Sequence, residues 1–167
     1  VGHAEHNPPM YYMTGGGHVS HAALIKINGE PAVLFCNDME REEAAKSGLK
    51  VVPYSTYPHK ELLDQAKGDP ALASALRYQR MFKDCGMTSG RVGIYGMYDI
   101  STVVATLDHL RNVAPSLTFI GEPRDNSLFM YAMETKDEGE VERIRQTGKA
   151  TVEVVAKTAE YMTSCHV

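Results

Sequence analysis

Two pairs of histidines have the residue type and close spacing that metal sites use. His3 and His6 stand three positions apart, and so do His18 and His21. A structural zinc site needs three or four converging ligands. Both pairs lie in stretches that read as loop or strand, where side chains three positions apart point to opposite faces. We therefore expect solvated or hydrogen-bonded histidines and no metal ligands in this chain.

A run of three glycines, Gly15 to Gly17, could be mistaken for a phosphate-binding loop. The dinucleotide fingerprint Gly-x-Gly-x-x-Gly opens a helix and has an acidic residue about 20 positions further on. Here the glycines lead through residues 18–21 into a predicted strand, so no helix N-terminus would face a phosphate. The run instead predicts a tight turn that needs positive φ.

Nucleophilic side chains have no recognisable partners in the sequence. No Gly-x-Ser-x-Gly elbow occurs, and Ser20, Ser89 and Ser101 have no evident partner set. Cys85 and His109 could approach each other in the fold, but no local pattern brings them together. We expect no catalytic residues in this chain.

Composition excludes several classes of protein. The 167 residues suffice for one domain with a substantial core, and a net charge of −4 argues against a nucleic-acid partner. No stretch approaches 18 consecutive apolar residues, so we expect no membrane partner. The three cysteines, Cys36, Cys85 and Cys165, lack a Cys-x-x-Cys pair, which favours reduced thiols and a cytoplasmic location. The acidic run 38–43 reads as a solvated helix face.

The elements that must position these residues alternate between strands and helices. After a loop at 1–9, residues 22–27 and 32–36 flank Asn28-Gly29 and predict a hairpin. Other strands are predicted at 11–14, 49–54 (toward a sheet edge because of its proline), 91–95 and 117–120, and helices at 39–47, 59–67, 70–84 and 100–114. The last of these helices has the predicted apolar face Ile100, Val103, Val104, Leu107 and Leu110. This order predicts an α/β fold, a mixed β-sheet flanked by helices on both faces.

A helical turn or two at 126–134 is predicted to lead into one long helix, from about Asp137 to Met162. Asp137 and Glu140 have the spacing of a capping box. At about 1.5 Å per residue this helix would extend roughly 40 Å. Apolar residues recur along it three or four positions apart: Val141, Ile144, Val152, Val155, Ala159 and Met162. Such an apolar stripe predicts that the helix packs against another domain or another copy of the chain.

Three motifs, found in order along the chain, resemble the creatinase, prolidase and aminopeptidase P family. Residues 136–145, Lys-Asp-Glu-Gly-Glu-Val-Glu-Arg-Ile-Arg, are similar to the family's linker Lys-Ser-x-Glu-Glu-Ile-x-x-Ile-Arg. Residues 7–15, Asn-Pro-Pro-Met-Tyr-Tyr-Met-Thr-Gly, resemble its Asn-Ile-x-Tyr-Leu-Thr-Gly. Residues 90–96 resemble its Arg-Ile-Gly-Val-(Asp/Glu)-Gly strand, and Glu40-Arg41 stands where members often carry Asp/Glu-x-Arg.

The resemblance implies a creatinase/prolidase-like, non-catalytic N-terminal domain at residues 1–135 and a linker helix at 136–163, leading to a C-terminal catalytic domain. The whole protein would be an Xaa-Pro metallopeptidase whose two divalent metal ions, Mn or Co, are held by two Asp, one His and two Glu of that second domain. This part would therefore carry no cofactor. The implied partners are the catalytic domain, a second copy in a homodimer, and small proline-containing peptides.

In this family the loop after Tyr-x-Thr-Gly lies near a catalytic cleft. By resemblance, Tyr12, Thr14, Gly15 and His18 would line the rim through which substrate enters. Two alternatives stay open. The chain could belong to a metal-free scaffold or protein-binding module of the same fold, or to a creatinase-like amidinohydrolase.

Overall fold

A computed structural model of the protein describes residues 7–165, except for the side chain of Arg124. The chain divides into two compact units, Val1–Pro123 and Arg124–Val167. The described strands are β1 (Ala23–Ile25), β2 (Val33–Cys36), β3 (Lys50–Pro53), β4 (Gly90–Ile94) and β5 (Leu117–Gly121). The described helices are α1 (Pro8–Met13), α2 (Arg41–Ala45), α3 (His59–Gln65), α4 (Pro70–Asp84), α5 (Ile100–Val113), α6 (Leu128–Glu134) and α7 (Glu138–Ser164).

The first unit contains a three-stranded mixed sheet in the order β1-β2-β3. β1 pairs with β2 antiparallel, and β2 pairs with β3 parallel. The predicted hairpin and the edge position of β3 are confirmed. The predicted turn is also present, because Glu30 N–H donates to the carbonyl of Ile27 at 3.1 Å and Gly29 has a φ of 82°. The paired strands stop short of this turn, so the hairpin loop is longer than the sequence suggests.

The last two strands form a separate parallel sheet, in which β4 and β5 are joined by the crossover helix α5. The expectation of one mixed sheet is therefore corrected: the described strands form two sheets. The sequence pattern marks each strand but carries no information on which distant strand it pairs with, and this is why the error arose.

Helices cover both faces of the three-stranded sheet because its side chains alternate between two cores. One core takes Phe35 and reaches α3, α4, α5 and β5; its buried members include Ala23, Ile25, Tyr57, Leu62, Ala73, Met81 and Leu110. The other core takes Leu34 and Cys36 and reaches α1 and α2; its other buried members are Met10, Val19, Ala22 and Ala44. The α/β arrangement with helices on both faces is thus confirmed for this sheet.

Residues 8–13 are helical. This corrects the last two positions of the loop predicted at 1–9, and it also corrects the strand predicted at 11–14. Pro8 and Pro9 occupy the first two positions of α1. Proline suits the start of a helix, because its φ is already fixed near the helical value and the first N–H groups need no partner. Residues 1–6, with His3 and His6, lie outside the described part of the chain.

The buried face of α5 is narrower than predicted. Leu110 and Thr106 are buried and Val103 and Leu107 are half-buried, but Ile100 and Val104 are 75% and 52% exposed. The buried and half-buried positions, Val103, Thr106, Leu107 and Leu110, are spaced three or four apart along the helix. Thr106 is polar, so the predicted apolar face did not include it.

The second unit contains α6 and α7. Asp137 precedes α7, which begins and ends within two residues of the predicted limits, and none of its residues is buried. Thr135, in an extended conformation, separates it from α6. The proposed functional boundary at residue 135 stays a prediction. Over the range 7–165, no helix combines the length and the apolar character needed to cross a membrane.

Candidate functional site

The glycine turn after α1 is the structural centre of the loop that resembles a substrate-entry rim. Gly16 N–H donates to the carbonyl of Tyr11 at 3.0 Å, and Gly15 N–H donates to that of Tyr12 at 3.4 Å. Gly15 and Gly16 have φ values of 63° and 89°. These two bonds and the left-handed backbone are the Schellman ending of a helix. The predicted positive φ is confirmed, and its cause is the end of α1.

The four rim residues differ in how far they are accessible. Gly15 and His18 are exposed, and Tyr12 is 38% exposed. Thr14 is 2% exposed, and its Oγ1 donates to the carbonyl of Met10 at 2.9 Å. Thr14 therefore holds the turn to α1 from inside, while the other three present backbone and side chains to the surface.

The loop is anchored by a carboxylate that lies twenty positions further along the chain. The backbone N–H of Ser20 donates to Glu40 Oε1 at 2.8 Å, and the Ser20 hydroxyl donates to the same oxygen. The other oxygen of Glu40, Oε2, is buried and has no hydrogen-bond partner among the described residues. A single half-buried side chain thus fixes the far end of the glycine loop.

A second carboxylate, Glu43, reaches the same loop. A hydrogen bond from Lys46, at 2.5 Å, is the main reason that the pKa of the Glu43 carboxyl is lowered, and a bond from the backbone of His18 contributes to the shift. The loop from Gly15 to Ser20 is therefore held against the acidic turn by two separate contacts.

In the acidic run 38–43, Asp38 and Glu42 are exposed as the predicted solvated face requires, but Glu40 and Glu43 are half-buried. Asp38 accepts hydrogen bonds from Ser55 N–H at 3.2 Å and from its hydroxyl at 2.5 Å, and these bonds lower the pKa of the Asp38 carboxyl. Together with Glu40 and Glu43, it ties neighbouring loops to this turn. No local sequence signal identifies such anchors, because their partners are distant in the chain.

The other residues singled out for chemistry are separated in the fold. His109 Nε2 lies 3.2 Å from Asp69 Oδ2, so its partner is the residue that caps α4 and not Cys85. Burial raises the pKa of the Cys85 and Cys36 thiols. All three cysteines of the described region are free, and only Cys165 is fully exposed. Between residues 7 and 165, no group of three or more His, Cys, Asp or Glu could hold a metal ion.

The second unit offers a different kind of surface, the apolar stripe of α7. Its large members are all exposed; they are Val141, Ile144, Val152, Val155 and Met162. Val141 and Val152 are eleven positions apart, and so are Ile144 and Val155. An 11-residue repeat keeps close to the period of a straight helix, so the stripe stays on one face with little drift. It is an extended apolar contact surface, of the kind that marks an interaction site.

Comparison of the chain with protein-family models, curated proteins and solved structures finds no match.

Proposed function

We propose that this chain is the non-catalytic N-terminal domain of an Xaa-Pro peptidase of the prolidase or aminopeptidase P type. In this role it supports dimerisation and narrows access to a metal-dependent active site in a second domain. Small peptides with proline in the second position would be the substrates of the whole protein.

The observation that carries the proposal is the exposed apolar stripe of α7. The linker motif at residues 136–145 contains the start of this helix. Five large apolar side chains on one straight face are costly to leave in water, at about 25 cal/mol for each Å² of apolar surface. A catalytic domain packed along this face would remove them from solvent. The position of the capping box, inside the motif at residues 136–145, agrees with this use of the helix.

The glycine loop supports the proposed role in access. Tyr12, Gly15 and His18 are at the surface, while Thr14 and Glu40 fix the loop from within. A loop held at both ends can serve as one wall of an entrance without collapsing into it. The proposal includes contacts between these three surface residues and the entering substrate.

The proposal assigns the two divalent metal ions to the second domain, as the family resemblance implies. In such peptidases a bridged pair of ions would supply the attacking hydroxide and polarise the substrate carbonyl. The residues of this chain would exclude large substrates and position the linker helix. Their contribution is geometric.

The stripe itself provides a test. We would express the chain from its gene together with the sequence that follows Val167, and compare Val155→Asp with Val154→Asp. Both valines are 62% exposed, but Val154 lies about 100° around the helix from Val155 and off the stripe. The proposal predicts that Val155→Asp lowers Gly-Pro hydrolysis by tenfold or more, about 1.4 kcal/mol, and that Val154→Asp leaves it near wild type. Equal effects of the two changes would contradict it.

The metal-free scaffold is separated from the peptidase by the same material. The peptidase requires two Asp, one His and two Glu ligands in the sequence after Val167, and hydrolysis that depends on added manganese or cobalt. A partner domain that binds the stripe but lacks these ligands would favour the scaffold. Turnover of creatine and not of Gly-Pro would favour the amidinohydrolase.

A further inference from the structure

A cavity of about 350 Å³ lies within the first unit, between α4, α5 and β4. It is lined at one end by Ile94, Tyr95 and Tyr98, which follow or end β4, and by the first turns of α5. In open α/β sheets, ligands bind outside the carboxyl ends of parallel strands. The cavity therefore has the position in its β-α-β unit at which this architecture places ligands.

The body of the cavity is apolar and rich in rings. The ring centroids of Phe82 and Phe119 are 6.0 Å apart, and those of Tyr78 and Phe82 are 6.2 Å apart. Val92 and Leu107 complete this wall. Its volume falls in the range of small-molecule pockets, about 300–1,000 Å³, so it can hold a one- or two-ring body.

One cation lies in the wall of this apolar space. Arg77, on α4, has its Cζ 4.7 Å from the centre of the Tyr54 ring. Its Nε is buried and has no hydrogen-bond partner among the described residues. None of the ion pairs between described residues involves Arg77, although its neighbour on the same helix, Arg80, pairs with Glu61 at 2.9 Å.

The Tyr54 ring alone is a weak partner for this charge. A cation over an aromatic ring is attracted only by the quadrupole of the ring and forms no directional hydrogen bond with it. A carboxylate can accept two parallel hydrogen bonds from a guanidinium, which is the stronger arrangement. A buried polar group without a partner is unfavourable, so an anion that reached Arg77 would satisfy a group that the protein leaves unpaired.

We propose that this cavity binds a small apolar carboxylate, with its ring or branched body among Tyr78, Phe82 and Phe119 and its carboxylate on Arg77. This site is independent of the role of α7 and of the glycine loop. A ligand there would contact α4, β4 and α5 together and so stabilise the first unit.

The test uses 2-naphthoate and its neutral analogue 2-naphthamide, titrated into the 167-residue protein and followed by ¹H–¹⁵N NMR. The proposal predicts that naphthoate binds about tenfold more tightly than the amide, since hydrogen bonds between two charged groups are stronger than those to a neutral amide. Intermolecular NOEs from the naphthalene ring to Leu107 and Phe119 are expected. Their absence, or equal affinity for the two compounds, would overturn the proposal, and this readout needs no variant.

Arg77→Met and Arg80→Met then form a matched pair on one helix. Arg77→Met is expected to bind naphthoate no better than the amide, while its affinity for the amide stays near wild type and shows that the cavity is intact. Arg80→Met is expected to keep the full preference. Loss of the preference in both variants, or in neither, would overturn the assignment of the carboxylate to Arg77.

Discussion

Asp137 and Glu140 cap the start of α7 reciprocally. Asp137 Oδ1 accepts a hydrogen bond from Glu140 N–H at 2.7 Å, and Glu140 Oε2 accepts one from Asp137 N–H at 2.9 Å. The pair satisfies two backbone N–H groups at the beginning of a 27-residue helix, none of whose residues is buried. Because none of the residues of this helix is buried, its first turn depends on local interactions.

Replacement of Asp137 by Ala is therefore expected to fray the first turns of α7. Loss of an N-cap acceptor costs about 1 kcal/mol, so the hydrogen-bonded amides of Glu140 and Val141 should exchange their hydrogens about fivefold faster. Hydrogen exchange measured by NMR checks this. Glu142→Ala is the control, since Glu142 accepts hydrogen bonds from Arg145 and Gln146 on the helix surface and takes no part in the cap. Equal exchange rates in the two variants would show that the cap contributes nothing.

Leu34 and Phe35 are adjacent in β2 but occupy the cores on opposite sides of the sheet, with exposures of 0% and 1%. Leu34→Ala is expected to cost about 2–5 kcal/mol and Phe35→Ala about 3–5 kcal/mol, because each leaves a cavity. Urea unfolding followed by tyrosine fluorescence measures both. Val154→Ala, on the exposed surface of α7, should change the free energy of unfolding by less than about 0.5 kcal/mol. If either core variant were as stable as this control, that core would be wrongly described.

Stability should fall at alkaline pH. Burial raises the pKa of the Tyr78 phenol to about 12, and it also raises the pKa values of Tyr54 and Tyr57. An unfolded tyrosine loses its proton near pH 10, while folded Tyr78 keeps it, so the unfolded state binds fewer protons between about pH 10 and about pH 12. The stabilising contribution is complete below about pH 10 and is lost as the pH rises toward about 12.

Urea unfolding at about pH 8 and about pH 11 tests this sign. Tyr78→Phe should reduce the loss of stability between the two pH values by up to about 1.4 kcal/mol for each pH unit above 10, because it removes one of the ionising groups. A variant whose loss equals that of the wild type would contradict the expected role of Tyr78.

The contact between Ser20 and Glu40 should control the order of the glycine loop. Glu40→Ala removes the acceptor for two hydrogen bonds, so we expect faster hydrogen exchange at Ser20 and Val19. Glu40→Gln keeps an acceptor oxygen and should restore much of the protection. The exposed Glu42, on the same turn, provides Glu42→Ala as a control. Unchanged exchange in Glu40→Ala would mean that other contacts hold the loop.

Local signals in the sequence predicted most helix limits correctly. Asp69 accepts from the N–H groups of Ala71 and Leu72 at 2.9 and 3.1 Å, and Asp99 accepts from Thr102 N–H at 2.8 Å. These caps lie within three residues of the groups that they satisfy, which is why a short window reveals them. The same kind of signal marks α1, which has Pro8 and Pro9 at its first two positions and Gly15 after its end. Two consecutive prolines are also typical of a loop, so the sequence alone predicts a loop there.

Distant pairings could not be predicted in the same way. The anchor of the glycine loop joins Ser20 to Glu40, and Asp38 joins Ser55, across stretches whose spacing fixes no geometry. The division of the strands into two sheets has the same cause. No sequence pattern identifies Arg77 either, because its significance depends on the fold, which buries its Nε without a hydrogen-bond partner among the described residues.

The most direct test of the proposed function is Gly-Pro hydrolysis, measured side by side for the purified 167 residues and for the protein extended by the sequence that follows Val167 in its gene. Manganese or cobalt is added to both. We predict metal-dependent turnover by the extended protein and none by the 167 residues. Turnover by the 167 residues alone, or its absence from an extended protein that folds and binds the metal, would contradict the assignment of this chain as the non-catalytic half of an Xaa-Pro peptidase.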